Sequence, residues 1–329
     1  MPSLSSLRRP SLVAFARWSV GLVVLVLLGV NLNVTQIMKS LQSADPLLAC
    51  AGIGGLTAMH LLGAVTWRRL CVQLAGVRLG WRAVLSWYYA AQALGGVTPA
   101  NLGGDAFRVY QLRTAGHRFE ASVAPVVVQR ATSYLALSVL GVLALAVLAS
   151  SAEVAIEIVL AALLISTLAS ILAALLLVPS VRLAPVRARF AGIFGGSAFQ
   201  VPGALRGSGR QLAVAVGTGV LLGLAFHAGA VLFTYLLVLS VLPTAVFVPT
   251  AAALAVARLS LSIPITPSGL GVQEAALSVL FVSLGMPPAS AVAALLLSRL
   301  ALLLTTVVGV IALAGQRGPR AVGVEGSTA

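Results

Sequence analysis

Apolar positions run in long unbroken blocks along this chain, not in the alternating or one-faced patterns of water-soluble elements. A membrane-spanning helix needs about 20 largely apolar residues, and six stretches reach that length: 13–35, 46–66, 121–149, 155–178, 212–241 and 289–315. Two further apolar regions are interrupted. Residues 83–113 break at Thr98-Pro99-Ala100-Asn101-Leu102-Gly103-Gly104, and residues 246–286 break at Pro264-Ile265-Thr266-Pro267-Ser268-Gly269-Leu270-Gly271. Proline lacks the amide donor and glycine weakens a helix interior, so each region predicts two short helices. The pattern as a whole predicts an all-α, polytopic membrane bundle with six full spans and two helical hairpins.

Composition narrows the class further. Hydrophobic residues fill 60% of 329 positions and charged residues only 9%, against roughly 25% charged in an ordinary soluble domain. A water-facing surface cannot be made from that. The formal net charge is +14, and Lys39 is the only lysine among 21 basic residues. Nucleic acid is excluded as the reason for this charge, because the arginines punctuate apolar stretches and line no polar face. Anionic lipid is the expected counter-charge. Cys50 and Cys71 lie about 30 Å apart if helical, which excludes a disulfide. The segment Ser19 to Val30 has no small-residue cleavage site after it and reads as a retained first span.

Short cytoplasmic loops are enriched in Lys and Arg, and every connection fits that rule if both termini are inside. Arg8, Arg9 and Arg17, then Arg68, Arg69, Arg78 and Arg82, then Arg108, Arg113 and Arg118, then Arg182, Arg187, Arg189, Arg206 and Arg210, and finally Arg317 and Arg320 fall on that side. Lys39, Asp45, Glu153 and Glu157 fall outside. Trp18, Trp67, Trp81 and Trp87 are expected at the cytoplasmic interface. By parity the first hairpin then enters and returns from inside, and the second enters and returns from outside. The expected order is a cytoplasmic tail (1–12), a first membrane half (13–178), a cytoplasmic connector (179–211), a second half (212–315) and a disordered cytoplasmic tail (316–329).

The two breaks resemble each other. Thr98-Pro99 precedes Leu102-Gly103 and Asp105, and Thr266-Pro267 precedes Leu270-Gly271 and Glu274; the same 25-residue spacing then leads to Arg130 and to Arg299. With one hairpin opening inward and the other outward, the halves are expected to be inverted repeats, a plan shared by many secondary transporters. Arg130 and Arg299 lie roughly 15 Å into their helices, near the midplane, where an arginine needs a partner or water. Arg258 is a third such residue. If all five groups converge, three cations face two acids and one positive charge is left for an anion. The helix N-termini after each break add to that field. A purely architectural reading stands beside this one, with proline and glycine as punctuation, each acid as a local cap and each arginine as its structural partner.

At these motifs the sequence resembles the lysylphosphatidylglycerol synthase transmembrane family, the flippase-like integral membrane proteins. The resemblance runs from Trp67-Arg68-Arg69-Leu70 and Ala75-Gly76-Val77 through Gly104-Asp105-Ala106-Phe107-Arg108 and Gln129-Arg130 to Arg299. Pro264 to Glu274 is similar to the family's proline-glycine-glutamate signature. Asp105 stands where glutamate is common, and Gln129 and Ser133 where acids often flank the arginine, which leaves the partner of Arg130 open. The resemblance implies a lipid translocase module. Larger relatives attach it to an aminoacylating domain or a glycosyltransferase, for which the ends of this chain are too short.

The leading expectation is therefore a non-enzymatic translocase of an anionic phospholipid or a polyprenyl-phosphate-linked lipid in the cytoplasmic membrane. Arg130, Arg258, Arg299 and Arg108 are the candidate phosphate ligands, with Asp105 and Glu274 as charge partners and gates. Pro99, Gly103, Gly104, Pro264, Pro267, Gly269 and Gly271 are the hairpin breaks. Two alternatives remain: a transporter of a small anion or proton-coupled solute, and a non-transporting subunit of a lipid-modifying or cell-envelope enzyme complex. No cofactor is expected. Membrane lipids are the expected partners, with room for a separate soluble transferase and for oligomers, and no nucleic acid. His60 and His227 lack a second ligand at metal spacing, and Gly52-x-x-Gly55 and Gly219-x-x-x-Gly223 read as close helix packing.

Overall fold

The computed structural model describes residues 34–96, 98, 101–151, 209–259 and 271–316, with isolated positions 19, 23, 164 and 168. Its regular structure is helical: α1 (Val34–Gln42), α2 (Pro46–Ala75), α3 (Trp81–Gly96), α4 (Leu102–Thr114), α5 (Phe119–Ser151), α6 (Gly209–Val241), α7 (Phe247–Leu259), α8 (Val272–Ser283) and α9 (Pro288–Ala314). Four segments are long and apolar enough to cross a membrane, namely Pro46–Ala75, Phe119–Leu148, Gly209–Val241 and Pro288–Ala314. The expected spans at 13–35 and 155–178, the connector and both tails fall largely or wholly outside the described residues, as do Pro99, Pro264, Pro267 and Gly269. Leu221 of α6 and Leu303, Val307 and Ile311 of α9 are exposed, which fits a surface solvated by lipid and not by water.

Two elements differ from the sequence reading. α2 does not stop at residue 66 but continues to Ala75, where Gly76 in the left-handed conformation (φ 65°) ends it and donates back to carbonyls of the last turn. The apolar window ended early because Arg68 and Arg69 dilute it, although Leu70 and Cys71 beside them are buried. α1 lies in a segment expected to be a loop. It is a short amphipathic helix with only Ile37 buried, and a search for long apolar runs does not see such an element.

Three of the four tryptophans lie among the described residues, and they differ in exposure. Trp67 is fully buried and packs against buried Trp87, with ring centroids 6.4 Å apart, whereas Trp81 is half exposed and lies under the Arg68 guanidinium. Only Trp81 of these three has the exposure of an interfacial anchor. Trp67 and Trp87 belong to a core shared by α2 and α3.

Side-chain contacts fix the helix directions. Gly52 and Gly55 of α2 face Leu237 and Phe233 of α6, Gly229 of α6 faces Met59, and Gln73 hydrogen-bonds Thr218 at 3.1 Å. These pairs run in opposite order, so α2 and α6 are antiparallel over their whole lengths. Gly219 and Gly223 of α6 meet Thr132 and Ala136 of α5 in the same order, so α5 and α6 are parallel. Both small-residue motifs thus bring helices close together.

The two hairpins open toward opposite ends of the bundle. Gln316, just past α9, hydrogen-bonds Ser86 at the start of α3 and Gln111 at the end of α4. The open end of the first hairpin therefore lies with the end of α9 and, through Arg68 donating to the Leu79 carbonyl at 3.1 Å, with the end of α2. At the other end Asp45 donates its amide to the Ser240 carbonyl, joining the start of α2 to the end of α6. There Tyr235 of α6 packs on Phe247 of α7, and Thr250 of α7 reaches Met286 beyond α8. Each hairpin also packs on a long helix of the other half. Gly309 of α9 meets the Tyr89 backbone of α3, and Gly141 of α5 meets Leu259 of α7.

Candidate functional site

The first hairpin is closed by its own polar groups. The Thr98 hydroxyl donates toward the Leu94 and Gly95 carbonyls and accepts from the Gly103 amide at 2.9 Å, which joins the end of α3 to the first turn of α4. Asn101 begins α4 in the left-handed conformation (φ 59°), which asparagine tolerates better than most residues. A Cβ at Gly104 would strike the Ala91 carbonyl, so glycine there lets the two arms touch along their backbones. This closure sets Asp105 in the first turn of α4, facing α5.

Asp105 holds two guanidinium groups at once. Its Oδ1 lies 2.6 Å from Arg108, one turn along α4, and its Oδ2 pairs with Arg130 of α5. Arg108 is buried. It also donates to Gln129 Oε1 at 2.5 Å and lies 5.6 Å from the ring centres of both Trp67 and Tyr88, a cation–π setting on two sides. Gln129 in turn donates to the Gly63 carbonyl at 2.9 Å, which ties the cluster to the middle of α2. Arg130 reaches Tyr134 at a long 3.4 Å and keeps 23% of its side chain exposed. Two cations around one carboxylate give this cluster one excess positive charge.

The second hairpin builds a counterpart with different bookkeeping of its oxygens. Gly271 takes a positive φ of 80°, where a side chain would be strained, and its amide donates to Glu274 Oε2 at 2.8 Å. The other carboxylate oxygen accepts from Arg299 of α9, Nε at 3.0 Å and the terminal nitrogen at 2.5 Å. Glu274 is fully buried, and 19% of the Arg299 side chain is exposed. One acid and one cation leave this pair neutral.

The equal 25-residue spacings thus correspond to two equivalent ion pairs, each joining the second arm of a hairpin to the following long helix. Arg258 is placed elsewhere. It sits one residue from the end of α7, and neither a salt bridge to an acid nor a hydrogen bond to its buried Nε is present among the described residues. Among the described residues these groups, with Arg108, thus form two ion-paired clusters, and Arg258 makes no salt bridge with either acid. Gln129 and Ser133, which left the partner of Arg130 open, take other roles: Gln129 receives Arg108, and Ser133 hydrogen-bonds His227 Nε2 at 3.0 Å.

The family model for the lysylphosphatidylglycerol synthase TM region matches residues 13–309. The chain belongs to this family. The match spans both ion-paired clusters and the breaks that position them. A comparison with curated proteins returns no match. Membership of the lysylphosphatidylglycerol synthase TM family and the four long apolar helices make the chain a multi-pass membrane protein of a family connected with lipid modification or translocation.

Sequence reasoning did not find Trp67, Tyr88 or Tyr134 as parts of the site. Trp67 and Tyr88 contact Arg108 from α2 and α3, and nothing in local sequence joins those helices. Tyr134 carried a readable signal, because it lies one helical turn after Arg130. Among the described residues no group of three metal-ligating side chains comes together.

Proposed function

We propose that this protein is a lipid translocase that moves an anionic phospholipid or a polyprenyl-phosphate-linked lipid across the cytoplasmic membrane, without enzymatic chemistry of its own. The observation that carries the reading is the excess of positive charge within the helix bundle: buried Arg108 and half-buried Arg130, Arg258 and Arg299 make salt bridges only with Asp105 and Glu274 among the described residues. Uncompensated guanidinium charge in a membrane interior is costly, and a phosphate entering from the membrane relieves it. Arg130 is the first contact, because it is the most exposed member of its cluster and shares its carboxylate with a second cation. A phosphate can replace Asp105 on Arg130 while Arg108 keeps Asp105 paired. The exchange of one oxyanion for another then loosens the tie between hairpin and long helix.

The opposite openings of the hairpins support alternating access. A headgroup held first where one hairpin opens and then where the other does avoids the cost of crossing hydrocarbon unaccompanied. In this reading the halves are inverted repeats and the arginine-rich end, with Arg68, Arg78, Arg82 and Arg113, faces the cytoplasm. Reconstituted vesicles carrying a fluorescent phosphatidylglycerol, quenched from one leaflet, test the flux. Wild type is expected to empty the protected leaflet, and the Arg130→Ala, Arg299→Ala double variant to lose that activity; unchanged flux in the double variant rejects the reading. Orientation has its own test in a Cys50→Ala, Cys71→Ala background. Thr114→Cys is expected to label only from the cytoplasmic side and Met286→Cys only from the other, and the reverse pattern rejects the topology.

A further inference from the structure

The turn between α2 and α3 is firmly held and strongly basic. After Gly76 ends α2, the Val77 amide donates back to the Cys71 carbonyl at 3.0 Å. Val77 and Leu79 are buried in the core that contains Trp67, Cys71 and Val84. Arg78 between them is exposed, as are Trp81 and Arg82 where α3 begins. The two aliphatic side chains thus anchor the turn, and its cations face out.

Arg68 completes the group from α2, about two turns before that helix ends. Its Nε donates to the Leu79 carbonyl at 3.1 Å, and its guanidinium carbon lies 4.6 Å from the centre of the Trp81 ring. The carbonyl bond uses Nε, which leaves the two terminal nitrogens as a fork for another acceptor. Arg68, Arg78 and Arg82 make no salt bridge among the described residues. Of the described acids, Asp105 and Glu274 are committed to other arginines, Asp45 caps the far end of α2, and Glu120 begins α5.

The place of the turn decides what supplies the anion. α2 is long and apolar enough to cross a membrane, so a turn just past its end lies at the membrane surface. A tryptophan with half its area exposed is an interfacial anchor there, and the anions concentrated at that depth are lipid phosphates. The planar fork of arginine binds phosphate oxygens in pairs, and a fork already held by a ring and a carbonyl loses little freedom on binding. We infer that Arg68, Arg78 and Arg82, with Trp81 as their platform, form a surface site for the phosphate headgroup of an anionic phospholipid in the adjoining leaflet. This goes beyond the lipid-translocation reading and does not depend on it. The lipid held here is a resident neighbour at the open end of the first hairpin, not cargo on Arg130.

Native mass spectrometry of the full-length protein, released from detergent after titration with phosphatidylglycerol, tests the site by counting bound lipids. Phosphatidylcholine and inorganic phosphate are the comparison probes. Arg68→Gln, Arg78→Gln and Arg82→Gln are each expected to weaken phosphatidylglycerol binding about fivefold, the effect of one arginine near an anionic membrane surface. The same losses are expected in an Arg130→Gln background. Arg78 and Arg82 are exposed, so their variants keep the test open if Arg68→Gln disturbs the turn. Arg210 is an exposed arginine of α6 at the same end of the bundle, and Arg210→Gln is expected to weaken binding less than about twofold. Equal losses from Arg210→Gln and from the turn variants show a diffuse positive surface and overturn the inference, as does equal binding of phosphatidylcholine. Binding of inorganic phosphate alone, with the same ranking of variants, rejects the lipid as occupant. Lipid flux lost on Arg130→Ala, without any lipid binding sensitive to the turn, upholds translocation and rejects this site; turn-sensitive binding by a protein without flux does the reverse.

Discussion

The two hairpins present the same ion pair in two electrostatic versions. Glu274 is one methylene longer than Asp105, and that length lets it reach back to the Gly271 amide with one oxygen while the other receives Arg299. Asp105 makes no such backward bond in the described structure; both its oxygens point to guanidinium groups, one from its own helix and one from α5. The second cluster is thereby neutral and sealed, with Glu274 fully buried, and the first is positive and partly open, with 14% of Asp105 and 23% of Arg130 exposed. A repeated motif thus fixes which side chains meet, while side-chain length and one extra arginine decide whether the result is a clasp or a place where an anion can enter.

The sharpest way to break that contrast is Glu274→Gln. It preserves shape and leaves Arg299 facing a neutral amide in place of a fully buried carboxylate, so the loss is expected to be about 3 to 5 kcal/mol, as for other buried pairs deprived of one partner. Asp105→Asn removes the acid from two arginines, yet Arg130 keeps 23% of its side chain exposed and Arg108 keeps Gln129 and two aromatic rings, so the expected loss is smaller, about 2 kcal/mol. Thermal unfolding of the purified variants measures both. A larger loss for Asp105→Asn than for Glu274→Gln contradicts the distinction between a sealed and an open cluster.

Much of the architecture was legible in the chain because lipid imposes a simple rule on it. Backbone groups in hydrocarbon must be satisfied within a helix, so the runs at 46–66, 121–149, 212–241 and 289–315 announce the four long helices, and prolines and glycines announce the breaks. The pairs Asp105–Arg130 and Glu274–Arg299 were visible as a repeated spacing for a related reason: few charges survive in such a sequence, and those that do must find each other. What stayed hidden depends on packing between helices distant in sequence. The neighbours Arg68 and Arg69 gave no sign that Trp67 lies on a face of α2 covered by α3. Arg258 likewise gave no local sign of its surroundings: at the end of α7 it makes no salt bridge with either acid among the described residues.

The shared carboxylate gives a second, subtler test of the comparison. Replacing either Arg108 or Arg130 with glutamine leaves Asp105 one cation, so each single change is expected to cost only about 1 to 2 kcal/mol. Removing both leaves Asp105, which is only 14% exposed, without a countercharge, and the double variant is expected to lose more than the two singles together, with a coupling of about 1 kcal/mol or more. Strict additivity in thermal unfolding would mean that the two arginines do not share the carboxylate. On Glu274, Arg299 is the one salt-bridged cation among the described residues, and Arg299→Gln alone is expected to match Glu274→Gln.

A steric contrast lies in the glycines through which each hairpin leans on the other half. Gly309 and Gly141 occupy similar places after Arg299 and Arg130, but what they face differs in kind. A methyl group at Gly309 would collide with the Tyr89 carbonyl, part of a helix backbone that cannot move without shifting the whole first hairpin. At Gly141 the obstacle is the branched end of the Leu259 side chain, which has other rotamers available. Gly309→Ala is therefore expected to cost about 1 to 3 kcal/mol as an overpacked contact. Gly141→Ala is expected to cost under about 1 kcal/mol, because alanine's better helix propensity offsets part of the repacking. If lipid flux is measured on the same variants, Gly309→Ala should slow it more, since it pushes the first hairpin off α9 and with it the turn that holds Asp105. Equal behaviour of the two would mean that both contacts yield alike, and that the first hairpin does not lean rigidly on α9.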